Sequence, residues 1–272
     1  MNKFIYFYCI VVFIFCSCGN NLGEITYDIT IPDIENGEKI VKYKDIALLE
    51  YWDNVLWHIE FKNIEQIKLD DGQIFFTNEI WYSKGGGKLL KLVSKNGSPY
   101  LLPGETYPKL VKDIFFNEDR TIHYAYYIPE NYYKIYLDNN KIIRAKKVTT
   151  HDTEDPKLRN EYKISEIKNV ISGETFHIPY PLPNGLDIEV SEINFYYGVL
   201  EYIRNSNGVI ITLPDNNNAT VDFISFYPSG NLKRVNLTQI PSQSIPIIVE
   251  GIPKNATTYI EYKENGDAKG GN

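Results

Sequence analysis

An all-β fold, mainly antiparallel and built as a hairpin meander or as sandwich-like modules, is what this sequence predicts. Three observations carry that expectation. Ile25, Tyr27, Ile29 and Ile31 alternate with Thr26, Asp28 and Thr30, the period-two pattern of a strand buried on one face. Aromatic residues make up 14% of the chain, with 22 Tyr, and rings and β-branched side chains suit a pleated, half-buried surface. Turn signals recur at short intervals: Asp70-Asp71-Gly72, Lys84-Gly85-Gly86-Gly87, Asn96-Gly97, Asp138-Asn139-Asn140, Asn207-Gly208, Pro228-Ser229-Gly230 and Asn265-Gly266.

Asn-Gly and Asp-Gly permit the positive φ of tight hairpin turns, so each of these sites reads as a reversal between strands. Short strands with such spacing favour a meander over alternating βα units. Helix is expected in at most one or two short pieces. The candidate is Asp155 to Val170, where Leu158, Tyr162, Ile164, Ile167 and Val170 follow a partly helical spacing. Thr149 to Asp155 is the most charged and least apolar interior stretch, and residues 151–163 read as an acidic linker or loop. They divide an N-terminal β-rich module, 25–150, from a C-terminal one, 164–272. Pro179, Pro181 and Pro183 mark a second break, because proline has no amide hydrogen to give to a ladder.

The N-terminus has a different character. Asn2 and Lys3 precede an apolar run from Phe4 to Phe15, followed by Cys16-Ser17-Cys18-Gly19. The run is shorter than the roughly 20 residues a membrane-spanning helix needs. It reads as the apolar region of a cleaved signal peptide, residues 1–17. Its end resembles the lipobox of bacterial lipoproteins, with Ser17 at the small position before the cut and Cys18 as the acylated residue. Phe15 stands where Leu is commonest. The resemblance implies a fatty-acyl (palmitate-type) anchor on Cys18, a short tether over 18–24, and a bacterial cell-envelope location. No Asp follows Cys18, which favours the outer over the inner membrane. Acyl chains supply the membrane affinity, about 0.8 kcal/mol per buried CH₂.

Cysteine usage agrees. Cys9, Cys16 and Cys18 all lie in this leader, so the mature chain has no disulfide and depends on burial for stability. The formal net charge of −7 argues against a nucleic-acid partner, which demands a basic face to displace counterions.

Several segments share one pattern of aromatic-rich strand, polar turn and aliphatic strand. Glu79 to Val93, Glu192 to Ile203 and Phe226 to Val235 show it best; Tyr51 to Ile59, Phe115 to Tyr124, Tyr136 to Ala145 and Tyr262 to Lys269 follow more loosely. These units resemble the MORN-variant hairpin repeats of bacterial proteins. That resemblance implies an interaction scaffold, with neighbouring hairpins stacked because one alone cannot bury its apolar face.

Chemistry-bearing motifs are few. His58, His123, His151 and His177 fall in no HxxxH or HExxH spacing, and no mature cysteine pair completes a zinc set, so no metal or other cofactor is expected. There is no GxSxG elbow and no phosphate loop, and no pair of carboxylates stands out. No catalytic residue is assigned and the expected class is non-enzymatic. The nearest approach to a ligand site is aromatic: Trp81, Tyr82, Tyr124, Tyr126, Tyr132 and Tyr133, with Tyr127 and Tyr136 nearby. Rings on a β surface can stack on sugar faces, and tyrosine suits a contact with one dry side and one wet hydroxyl. The leading expectation is a lipid-anchored binding or structural module with a protein or glycan partner. The alternatives are a carbohydrate-binding surface lipoprotein using these rings and a β-fold hydrolase with dispersed acids.

Overall fold

The structure, a computed structural model, describes residues 28–32, 38–83, 88–117, 119–137, 141–150, 164–178, 186–196, 198–239 and 243–272. Ser17, Cys18, the tether and the acidic segment 151–163 lie outside the described residues, as do the turn at Lys84-Gly85-Gly86-Gly87, the Asp138-Asn139-Asn140 turn and the three clustered prolines.

The described chain is strands and the turns and loops that join them, and among the described residues the one helical piece is a 3-10 turn at Tyr43–Asp45. The strands are β1 (Asp28–Pro32), β2 (Glu38–Lys42), β3 (Ile46–Trp52), β4 (Val55–Lys68), β5 (Ile74–Tyr82), β6 (Leu89–Tyr100) and β7 (Lys109–Phe116). Next come β8 (Ile122–Tyr127), β9 (Tyr132–Tyr136), β10 (Ile142–Thr150), β11 (Ile164–Val170), β12 (Thr175–Ile178), β13 (Leu186–Glu189) and β14 (Glu192–Tyr196). The chain ends with β15 (Val199–Thr212), β16 (Asn218–Phe226), β17 (Leu232–Leu237), β18 (Ile245–Val249), β19 (Ile252–Ala256), β20 (Tyr259–Tyr262) and β21 (Ala268–Gly271). Where the sequence allowed a helix, Ile164–Val170 is β11: two isoleucines and a valine in seven residues prefer the pleated surface, and both neighbouring strands offer a partner.

One antiparallel sheet of 15 strands runs from β3 to β21 as a meander, and the pairs β1-β2, β12-β13 and β18-β19 form separate hairpins. All seven segments of the repeating pattern are hairpins of this sheet. The portions 25–150 and 164–272 join directly, because β10 pairs with β11.

A single turn design closes five of the reversals. In Leu69–Gln73, Asn117–Thr121, Leu213–Asn217, Tyr227–Asn231 and Lys263–Asp267 the first amide donates to the fifth carbonyl. The fourth amide donates back to the first carbonyl, all at 2.8–3.0 Å. The fourth residue has positive φ in every case: Gly72, Arg120, Asn216, Gly230 and Gly266. In four of them the third side chain, Asp71, Asp119, Asp215 or Asn265, accepts the fifth residue's amide. Short polar side chains at that position therefore do the work of a backbone acceptor.

Asn96-Gly97 and Asn207-Gly208 do something else. Both lie inside long strands, not between strands. β6 advances from Val93 to Ser98 while β7 moves only from Asp113 to Val111, and β15 advances from Arg204 to Val209 while β16 moves from Phe223 to Val221. β4 shows the same slip between Glu60 and Glu65 against β5. These are special β-bulges, larger than the usual two residues against one, which bend a strand and add twist. Asn-Gly serves in β6 and β15 because these two irregularities, like a turn, take a positive φ, and Gly97 and Gly208 supply it at +81° and +75°; the slip in β4 uses none.

The sheet buries one face along most of its length, and at β8–β10 Tyr124, Ile135, Ile143 and Ala145 of the opposite face are buried as well. Register aligns Ile59, Ile80, Leu92, Ile114 and Ala125, all fully buried, and further along Ile167, Ile193, Ile203, Ile224, Val235 and Ile260. Ile31 and Val41 of the β1-β2 hairpin join the first core, and Ile245, Ile247 and Val249 of β18 join the second. Between these two rows, at β9 and β10, Lys134 and Arg144 take the places of apolar residues. Lys134 Nζ donates to Glu105 Oε1 at 2.5 Å and to the Pro103 carbonyl, and Arg144 Nε donates to Glu174 Oε1 at 2.5 Å. This polar seam marks the change from one core to the other.

Candidate functional site

Side chains directly opposite one another in a sheet share a face. On the face away from the apolar rows, Glu50, His58, Trp81, Lys91, Phe115 and Tyr124 form one cross-strand line, and Glu60, Glu79, Val93, Asp113, Tyr126 and Tyr133 the next. These lines are aromatic and charged where the other face is aliphatic, because each strand alternates the two kinds of residue.

The six rings singled out by sequence are divided between the faces. Trp81, Tyr124, Tyr126 and Tyr133 lie on the aromatic and charged face. Tyr82 and Tyr132 lie on the other: Tyr82 is fully buried in the first core, and the Tyr132 ring packs 5.1 Å from that of Tyr127. Tyr124 is also buried, at 5% exposure, beneath Phe115, which stacks on it at 4.1 Å. Tyr82 and Tyr124 are thus packing residues, and their rings are closed to a ligand. Trp81, Tyr126 and Tyr133 are half-buried and retain accessible edges.

Around Trp81 the geometry is tight. Its ring stacks on His58 at 3.7 Å, and its indole Nε1 donates to Glu79 Oε2 at 3.3 Å. His58 Nδ1 lies 2.9 Å from Glu50 Oε2, and its Nε2 lies 3.7 Å from Glu79 Oε2. Beyond Trp81, Lys91 sits 4.6 Å above the Phe115 ring and 4.0 Å from Asp113 Oδ1. Asp113 is held above the usual carboxylate range, first by burial, with Lys91 and Lys112 opposing. Burial also raises the Tyr124 and Tyr133 hydroxyls, with Asp113 adding to both. Tyr126 donates to Asn131, and its ring lies 4.8 Å from Tyr133. The arrangement offers a broad strip of edges and charges suited to recognition by contact. Sequence reasoning missed Glu50, His58, Phe115 and Asp113, since only cross-strand register shows that they border Trp81 and the tyrosines.

At β9 and β10 this face turns apolar with the buried Ile135, Ile143 and Ala145, and beyond them it is polar again as Lys168, Glu192, Arg204, Phe223, Asn236 and Tyr259. Tyr202 Oη donates to Glu192 Oε1 at 2.7 Å, and burial together with that carboxylate pushes the phenol up to about 12. His151 lies outside the described residues, and among those described no group of three or more His, Asp or Glu is placed to hold a metal ion. No described helix is long and apolar enough to cross a membrane. No protein-family model and no curated protein matches this sequence.

Proposed function

We propose that this chain is a lipid-anchored, non-enzymatic binding or structural protein of a bacterial cell envelope, with the outer membrane as the favoured site. The observation that carries the binding part is the strip of interlocked aromatic and charged side chains on one face of β3–β8, which resumes from β11 to β20 beyond the buried Ile135, Ile143 and Ala145. A sheet that buries aliphatic rows on one side and displays such a strip on the other suits contact over a long surface. The anchor rests on Ser17-Cys18 after a short apolar run. The resemblance of the hairpins to MORN-variant repeats supports the scaffold reading.

Metabolic labelling with a clickable fatty acid tests the anchor. Label in the wild type and none in Cys18→Ala is the expected result, with the folded β structure unchanged because the position lies in a tether. Equal label in both would overturn it. A broad hydrolase screen tests the non-enzymatic part: turnover abolished by one Asp or Glu substitution would reverse it.

A second reading, a carbohydrate-binding surface lipoprotein, is favoured by one observation: Trp81, Tyr126 and Tyr133 share a face with accessible edges. A glycan array separates it from a protein-binding scaffold.

A further inference from the structure

The aromatic and charged face of β15, β16, β17 and β20 is not flat. Register sets Tyr202, Ser225, Arg234 and Glu261 in one line and Arg204, Phe223, Asn236 and Tyr259 in the next. Ser225 is the smallest of these eight side chains, so its neighbours rise around it as walls. The result is a groove of about 430 Å³, at the lower end of the roughly 300–1,000 Å³ typical of small-ligand sites. The Ser225 hydroxyl belongs to its lining and makes no hydrogen bond to another described residue.

The walls carry both signs of charge. Arg204 Nε stands 3.6 Å from Glu192 Oε2, and Arg234 Nη1 stands 3.5 Å from Glu261 Oε1. Both are longer than the roughly 2.7–2.9 Å of a full charge-assisted bond, whereas Arg144 and Glu174 meet at 2.5 Å. Arg234 Nε also donates to Asn236 Oδ1 at 3.0 Å, so it is the ion pair and not the side chain that is loose. Both guanidiniums lie over rings, Arg204 at 5.1 Å from Phe223 and Arg234 at 4.4 Å from Tyr259. Lys233, Lys269 and Glu201 complete the charged lining, which gives four cations to two carboxylates in a chain of net charge −7.

The geometry points to a subsite for a carboxylate-bearing saccharide, a uronic acid unit of an oligosaccharide. A carboxylate is the planar, two-oxygen partner that a loosely paired guanidinium can engage bidentately. The sugar hydroxyls donate to Glu201 and Glu261 and pair with Ser225 and Asn236. A phosphate monoester, with nearly twice the charge of a carboxylate, would be repelled more strongly by those two glutamates. An apolar ligand would desolvate both arginines without compensation. The inference rests on the carbohydrate reading and locates the ligand away from Trp81, in a groove shaped by one small residue.

Isothermal titration of the detergent-solubilised full chain tests it, using oligomers of galacturonate, glucuronate and mannuronate. Maltotriose serves as the neutral control and acetate as the bare carboxylate. At least one uronide should bind about tenfold or more tighter than maltotriose and than acetate. Ser225→Leu should fill the floor, and Arg234→Lys should keep the charge while losing the fork. Each should weaken uronide binding about tenfold, while Arg144→Ala leaves it unchanged. Arg234→Lys decides the matter if Ser225→Leu fails to fold. No binding by any uronide, or binding that survives Arg234→Lys, would overturn the proposal. Binding of neutral oligosaccharides alone would remove it and leave the carbohydrate reading in place; a blank glycan array would remove both.

Discussion

Gly97 and Gly208 occupy equivalent places in the two halves of the sheet. Each ends the extra segment of a large bulge, each has positive φ, and each is pressed from the side. A Cβ on Gly97 would lie 2.6 Å from Leu110 Cγ and 2.7 Å from Ile128 Cδ1, and one on Gly208 would lie 2.7 Å from Thr238 Cγ2.

Alanine at either glycine should therefore cost twice, through backbone strain and through crowding. We expect Gly97→Ala and Gly208→Ala each to destabilise by about 2–4 kcal/mol. Gly72→Ala has the same φ but open space around it, and should cost about 1 kcal/mol. Urea unfolding midpoints of the three variants compare them directly, and equal losses would show that crowding at the bulges is unimportant.

The seam at β9 makes a second prediction. Lys134 is buried, and Glu105 is its carboxylate partner. Glu105→Gln should destabilise by about 3 kcal/mol near neutral pH, because it leaves a buried ammonium without its counter-charge. Burial raises the Glu105 carboxyl, but the hydrogen bond and charge of Lys134 outweigh it, so the net shift is below 4.5. A lowered folded value means stability present above the unfolded value and lost as pH falls through the folded one. The gap between wild type and variant should hold from pH 8 to about 6 and close in acid. A pH-independent gap would contradict the ion-pair account.

Asp113 predicts the opposite sign. Burial raises its carboxyl, and Oδ1 has no hydrogen-bond partner among the described residues. A raised folded value means that ionisation is penalised in the folded state, so stability falls as pH rises from 3.8 through the folded value. Asp113→Asn should stabilise by about 1 kcal/mol at pH 7 and make no difference at low pH. Thermal melts at pH 7 and pH 3 supply the comparison; a loss at pH 7 would mean that Lys91 outweighs burial.

The division of the rings by face gives a fourth. Tyr82→Ala and Tyr124→Ala remove buried rings and should each cost about 3–5 kcal/mol. Trp81→Ala and Tyr126→Ala should cost less and should instead weaken any ligand that the strip holds. Chemical denaturation beside glycan-array signal separates the two groups, and the ordering would fail if Tyr82→Ala were silent in stability.

The strands, their alternation and the turns at Asp70-Asp71-Gly72, Pro228-Ser229-Gly230 and Asn265-Gly266 were determined locally, because period-two patterning and turn chemistry act over a few neighbouring residues. The apolar run before Cys18 is a local pattern in the same sense. Tertiary structure alone decided that Asn96-Gly97 and Asn207-Gly208 are bulges, since positive φ serves a turn and a bulge alike and only the partner strand tells them apart. It alone placed Tyr82 in a core while its neighbour Trp81 stacks on His58. One residue along a strand reverses the face, and which face is covered depends on the elements that fold over it. The groove at Ser225 was invisible in sequence for the same reason: its walls come from five strands, and the pairing that brings Arg204, Arg234 and Glu261 around one small side chain is a property of register.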